Sequence, residues 1–371
     1  MNIINLADVE NLTDKLYGNQ PDASLMQYAG ALKENYLNNP GGFVDLFSFV
    51  INSNKQHCLF WSLDLLSSLV NSRYETFSEE MKMKFRETLI FLVENQLEKI
   101  FSANFIVNKF SVLFINWLKH DYPENWPSLF KDLINSMVNT EDQNVRMLKA
   151  SLLIEILHTF DDELIKFRHT YTDYEGFRST KIKDYMRLEA VGDCVYVINQ
   201  LMTNEAHFPK KLIKNCIRVV AELVDWNNLN LFADSVKIIT ENLIGQQNYL
   251  CESLEVMNAI LSKGMEPMQK LEVVKYLNIN EIIDNLFKDG KNINSDSLIR
   301  ICEIVATIGN FTVEAFEMVK SITKGELQVE NNSYSPTELF NHVCELANYS
   351  LFNAMRILKY SLNIDMKSPF N

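Results

Sequence analysis

Between Asn108 and Leu133 the apolar positions fall into two runs of helical spacing separated by a Tyr-Pro break. Phe110, Leu113, Phe114, Trp117 and Leu118 recur at i, i+3, i+4, i+7 and i+8, which puts them on one face of a helix. Tyr122-Pro123 ends that helix, because proline lacks the amide the ladder needs and pushes the residue before it out of helical geometry. Trp126, Leu129, Phe130, Leu133, Ile134 and Met137 repeat the spacing, so a second helix is expected to start at once, with Pro127 in its first turn. Two short helices with one apolar stripe each cannot bury both stripes alone. The pair reads as one unit of a helical repeat.

The same pattern returns along the chain. His57 to Arg73, carrying Cys58, Trp61, Leu65 and Leu69, pairs with Glu79 to Leu97. Val145 to Phe160 finds its partner only around Lys183 to Met202, which makes Asp161 to Thr180 an insertion. Leu212 to Trp226 pairs with Leu229 to Leu243; Leu250 to Lys263 pairs with Pro267 to Leu277; Ser297 to Ile308 and Pro336 to Leu362 follow more loosely. Trp126 and Trp226 lie 100 residues apart, matching two periods of about 40 plus an insertion of about 20, the period of HEAT-type repeats. The expected fold is all-α: one HEAT-repeat, right-handed superhelical solenoid of antiparallel helix pairs over residues 1–371. No polar cap precedes the final Phe370-Asn371, and solenoids need capped ends, so the C-terminal end is expected to adjoin something longer.

Composition agrees. Eleven glycines and eight prolines in 371 residues favour long helices over strands and hairpins. The six cysteines (Cys58, Cys194, Cys216, Cys251, Cys302, Cys344) have no paired spacing and read as buried free thiols in a reducing compartment. The first residues lack a signal-peptide pattern, and no apolar run approaches the roughly 18 to 20 residues that span a bilayer.

Several separate segments combine into a resemblance. The helix ending in Tyr122-Pro-Glu-Asn-Trp-Pro-Ser-Leu-Phe130 resembles the third repeat region of the importin-β/exportin superfamily. Four further blocks are similar to the exportin-T family, nuclear export receptors for tRNA: Phe160-Asp-Asp-Glu-Leu164, Thr180-Lys-Ile-Lys-Asp-Tyr-Met-Arg187, Val224-Asp-Trp-Asn-Asn-Leu-Asn-Leu231 and Leu261-Ser-Lys-Gly-Met-Glu-Pro-Met-Gln-Lys-Leu271. The likeness is clear over about residues 50–275 and weaker elsewhere. Family members continue for many more repeats, so the chain resembles an N-terminal portion only.

The resemblance implies a receptor, shuttling between nucleus and cytoplasm, that binds mature tRNA cooperatively with Ran-GTP and releases it after GTP hydrolysis on Ran. Nucleoporins would be further partners; a monomer, no membrane insertion and no cofactor are expected. Residues 1–160 would be the Ran-binding-like repeats, 161–180 the insertion and 181–371 further, cargo-facing repeats. An alternative reading keeps the scaffold and drops the RNA: a truncated importin-β-like scaffold, or a receptor for a protein cargo.

A net charge of −13 gives no overall attraction to phosphate, so an RNA site must be a local basic stripe. Lys210, Lys211, Lys214 and Arg218 lie opposite an apolar stripe, and Arg178, Lys181, Lys183 and Arg187 close the insertion. Each group also fits an ordinary solvated helix face. For Ran, the second helices of the early repeats offer Arg86, Glu87 and Glu94, then Ser128, Lys131, Asp132 and Asn135, which equally suit solubility. Trp117, Tyr122, Trp126, Trp226 and Met265 carry much of the resemblance and read as core and turn residues. The sequence holds no His-Glu-x-x-His, Cys-x-x-Cys, phosphate-cradling glycine loop or Gly-x-Ser-x-Gly, and no enzyme or metal site is expected.

Overall fold

A computed structural model describes residues 5–18, 22–166, 172–288, 293–324 and 336–365. Among them there are helices and turns and no strand. The chain divides into two compact units, 1–197 and 198–371.

The first unit holds α1 (Leu6–Leu16), α2 (Ala23–Asn38), α3 (Phe43–Asn52), α4 (Gln56–Arg73), α5 (Glu79–Asn95), the short α6 (Leu97–Ile100), α7 (Asn104–Asp121), α8 (Leu129–Val138), α9 (Gln143–Phe160) and α10 (Asp173–Glu189). The division between units falls inside α11 (Val191–Thr203). The second unit continues with α12 (Lys210–Trp226), α13 (Ala233–Ile238), α14 (Leu250–Ser262), α15 (Pro267–Tyr276), α16 (Ile279–Lys288), α17 (Ser295–Thr323) and α18 (Pro336–Asp365).

Helix starts follow the capping chemistry of the sequence. Asp22 accepts from the Leu25 amide at 2.7 Å, Ser78 caps Met81 at 3.3 Å, and Asn294 caps Ser297 at 2.8 Å. Thr172 and Glu175 form a reciprocal capping box at the start of α10. These contacts satisfy amides that have no partner inside their own helix.

Within each unit the helices stack as HEAT-type repeats do. In the first, α4 packs on α7 and α7 on α9; in the second, α12 packs on α14, α14 on α17 and α17 on α18. A helix inside such a stack needs two apolar seams, one for each neighbour. In α7 one seam is Ile106, Phe110, Leu113 and Trp117, and the other is Val107, Ser111, Phe114 and Leu118, all buried. In α12 Leu212, Cys216, Val219 and Leu223 run beside Ile213, Ile217, Val220 and Val224, again all buried. Each pair of seams is offset by one residue and follows 4-3-4 spacing.

Several expectations need correction. The second helix after Tyr122-Pro123 begins at Leu129, so Pro127 precedes it, and Trp126 sits in the turn. There the Trp126 ring meets Trp117 edge-on at 5.8 Å, and its Nε1 donates to Asp132 Oδ2 at 2.6 Å. The later part of the expected insertion, from Asp173, is helical and continuous with the Lys183 region; that helix ends at Glu189, and α11 follows as a separate one. The rest of that segment holds a wider π-type turn at Asp161–Ile165, while residues 167–171 lie outside the described ones. The helix read as Ser297 to Ile308 runs on to Thr323 through buried Phe311, Ala315 and Val319. Cys58, Cys194 and Cys216 are buried, but Cys251 and Cys344 are partly exposed and Cys302 is exposed. No described helix is long and apolar enough to cross a membrane.

Candidate functional site

The first unit is pinned by a buried polar cluster at the end of α7. Asp121, almost fully buried, accepts from Tyr74 Oη at 3.0 Å, Trp117 Nε1 at 3.0 Å and Arg86 at 2.7 and 3.1 Å, all on Oδ2. Asn125 Nδ2 donates to its other oxygen at 3.1 Å. A buried carboxylate is tolerable only when its charge and lone pairs are met, and here four side chains from three helices and the following turn meet them. Burial and the adjacent Asp121 push the Tyr74 phenol upward, which keeps it a donor.

Beside this cluster lies a groove of about 800 Å³ between α4, α7 and α10. Six of its charged side chains are met in pairs: Lys109 to Asp64 at 2.6 Å, Lys119 to Glu163 at 3.1 Å and Arg178 to Glu75 at 3.0 Å. His120 Nδ1 is 2.8 Å from the same Glu75 oxygen, and Arg178 Nη2 donates to the His120 carbonyl at 2.5 Å. The His120 contact, then Arg178, hold the Glu75 carboxyl below its usual range, while burial pulls the His120 imidazole down.

The expected RNA contacts on α10 divide between two sides of the helix. Arg178 and Lys181 turn toward acids of earlier helices and turns, Glu75 and Glu124. Lys183 and Arg187, one turn apart, lie on the other side, with Arg187 Nη1 2.9 Å from Asp184. Lys181 and Arg187 are solvent-exposed; Arg178 is largely covered. Phe177, 71% exposed, and Leu188, 80% exposed, share the Lys181 face, an apolar component absent from the charge-based reading. In the second unit Lys214 and Arg218 converge on buried Glu252 Oε1, at 3.5 and 3.1 Å, while Lys210 and Lys211 remain exposed at the start of α12.

The residues considered for Ran also separate. Arg86 is spent on Asp121, whereas Glu87 and Asn135 are exposed. Glu94 accepts from Ser136 Oγ at 2.6 Å and from the buried Lys149 ammonium, joining α5, α8 and α9. Ser128 donates to Asp132 at 2.7 Å within the first turn of α8, and Lys131 reaches Glu189 at 3.5 Å.

The motif residues themselves are mostly architectural. Trp117 and Tyr122 are buried, and Lys263 Nζ donates to the Val224 and Asp225 carbonyls at 2.8 and 2.9 Å, satisfying the open C-terminal end of α12. Trp126, Trp226 and Met265 are half-buried.

Residues 103–257 match the family model of Exportin 1-like protein. The exportin-T of Homo sapiens is 26% identical over 280 residues, which cover 73% of this chain and 28% of that protein. The chain is similar to exportin-T proteins. The exportin-T of Pongo abelii aligns with the same identity and coverage, and that of Dictyostelium discoideum is 23% identical over 308 residues, 79% of this chain and 27% of its own length. The chain thus spans about a quarter of the length of these exportin-T relatives. The matched region takes in α7 to α13 and most of α14, and so both sets of cationic residues described above.

Proposed function

We propose that this chain acts in nuclear export, binding Ran in its GTP state and mature tRNA together and releasing the RNA after GTP hydrolysis on Ran. The observation that carries the reading is the alignment of exportin-T proteins with about three quarters of the chain. It agrees with exposed cations on two sides of α10, Lys181 beside the exposed Phe177 and Leu188 and Arg187 on the other side, on a protein of net charge −13. Attraction to phosphate must then be local, and the acidic remainder works against nonspecific RNA. Contact across a folded RNA would use shape, 2′-hydroxyls and phosphates, since side chains do not enter the deep major groove of an A-form helix.

On this reading Ran is met by the exposed polar sides of α5 and α8, around Glu87, Lys131 and Asn135, with Glu94, Ser128 and Asp132 at the margin. Arg86, turned inward to Asp121, supports α5 from beneath, while Arg178 ties α10 to Glu75 and to the His120 carbonyl. Nucleoporin contacts and passage between nucleus and cytoplasm belong to the same proposal. The two ligands are expected to favour one arrangement of the helices, so each strengthens the other by the same factor. Retention of Ran on the immobilised chain tests the first half: Ran locked with GTP should be held and Ran with GDP should wash off. Equal retention of both, or of neither, contradicts it.

A further inference from the structure

Helix α12 carries its charges against its own dipole. Lys210, Lys211, Lys214 and Arg218 run from its start to its middle, and Glu222 and Asp225 stand in its second half. A helix is stabilised by the reverse order, acids at the start and cations at the end. No acid stands in the first turn, and no side chain caps the helix at Pro209. Helix stability therefore does not account for this row of cations.

Beneath two of them lies Glu252, in the first turn of α14 and only 4% exposed. Lys214 Nζ is 3.5 Å and Arg218 Nη2 3.1 Å from the same oxygen, Oε1. The other oxygen, Oε2, is also buried and accepts from none of the described residues. A buried carboxylate placed for its own satisfaction would take a cation on each oxygen. Here both cations, one turn apart on α12, are drawn to one point. Their side chains stay open to solvent, 38% for Lys214 and 51% for Arg218. An ammonium has three donors and a guanidinium five, so most of them remain for a second anion on the solvent side.

We propose that Glu252 is a positioning residue, holding Lys214 and Arg218 side by side as a two-cation clamp for a phosphate of the RNA backbone. The proposal rests on the RNA-binding reading above, and adds to it a phosphate contact in the second unit and the acid that arranges it. Two long side chains moving freely in water would lose rotamer entropy on meeting a phosphate; held by Glu252, they have already lost part of it. The carboxylate itself repels a phosphate, but it lies behind the two cations, and the nearer charges prevail. Lys210 and Lys211, exposed about one turn earlier, extend the positive face.

Glu252→Gln separates positioning from simple charge by the sign of its effect. The amide keeps the shape, holds the cations weakly and removes a negative charge from beside the clamp. Positioning predicts that affinity for mature tRNA falls all the same, by about threefold or more, and that the slope of log K against log salt drops by about one. Equal or tighter binding overturns the proposal. If Glu252→Gln unfolds, Glu252→Asp keeps the charge and shortens its reach: weaker RNA binding supports the clamp, and unchanged binding overturns it. A parent chain that binds no tRNA would sink the export reading, and the clamp is then decided separately. Sodium pyrophosphate titrated into the parent should saturably shift the Arg218 Nε–H resonance, assigned by its loss in Arg218→Lys; an unmoved resonance overturns the proposal.

Discussion

Arg86 and Asp121, 35 residues apart, are joined by two hydrogen bonds onto one carboxylate oxygen, at 2.7 and 3.1 Å. Asp121 is buried while the guanidinium is partly exposed, so the two partners are not equivalent. Asp121→Ala strips Arg86, Tyr74 and Trp117 of their common acceptor and is expected to cost about 3–5 kcal/mol. Arg86→Met leaves the buried carboxylate on three neutral donors without its counter-charge and should cost about as much, about 3–5 kcal/mol. Urea unfolding of the two variants beside the parent measures both. A neutral Asp121→Ala would remove the cluster from any account of how α4, α5 and α7 are joined.

Acid should loosen the first unit through Glu75, Glu94 and Glu124. All three carboxyls are held below their usual range. His120 and then Arg178 do this for Glu75; for Glu94 and Glu124, contacts from Lys149 with Ser136 and from Lys181 outweigh partial burial. His120 is lowered as well, by burial. Lowered values mean that the unfolded chain binds more protons. The stabilisation is therefore fully present above the unfolded values, about 6.5 for histidine and about 4.5 for glutamate, and is lost as pH falls through the folded ones. The melting temperature should drop progressively below about pH 6.5, and Glu75→Gln should make that slope shallower. An unchanged slope would show that the Glu75–His120–Arg178 contacts do not couple to folding.

The cations of α10 should respond differently to charge reversal. Lys181→Glu and Arg187→Glu change exposed groups, so helix content should persist while tRNA affinity falls by a similar factor for different tRNAs. Removing one cation that meets a phosphate should lower the slope of log K against log salt by about one. Arg178→Glu instead sets two acids face to face with Glu75 and withdraws a donor from the His120 carbonyl, so it should lower the melting temperature. Parallel calorimetry and RNA titration separate these effects; equal loss of folding in all three would make the whole row structural.

Thiol labelling should sort the six cysteines by position. Cys302 should react first in the native protein, Cys251 and Cys344 more slowly, and Cys58, Cys194 and Cys216 only on unfolding. Burial raises Cys194 to about 12, so it offers almost no thiolate at neutral pH. Timed alkylation with peptide mapping checks the order, and early modification of Cys194 or Cys216 would contradict the packing.

The helix pattern was legible wherever one apolar stripe carried it. Gln56–Arg73, Lys210–Trp226 and Leu250–Ser262 each lie within two residues of the spacing-based reading. It failed where side chains serve turns. Trp126 has helical spacing to Leu129 and Phe130, yet its indole is held by Asp132 outside the helix, and no periodicity distinguishes those cases. The helix read as ending at Ile308 runs on, because nothing crowds Gly309 and the seam continues through Phe311 and Ala315. The N-terminal helices α1 to α3 were not read, although Asn5 and Asp22 are recognisable caps. At the candidate site, the cationic residues could be found by counting charges. Their partners could not, because Arg178 meets Glu75 across 103 residues and only the stacking of helices brings them together.

The most direct test of the account is titration of labelled mature tRNA with the chain at near-physiological salt, with and without Ran locked in its GTP state. The account predicts binding that tightens with Ran-GTP and weakens as salt rises. Ran binding with no effect on RNA, or RNA affinity indifferent to Ran, would contradict it.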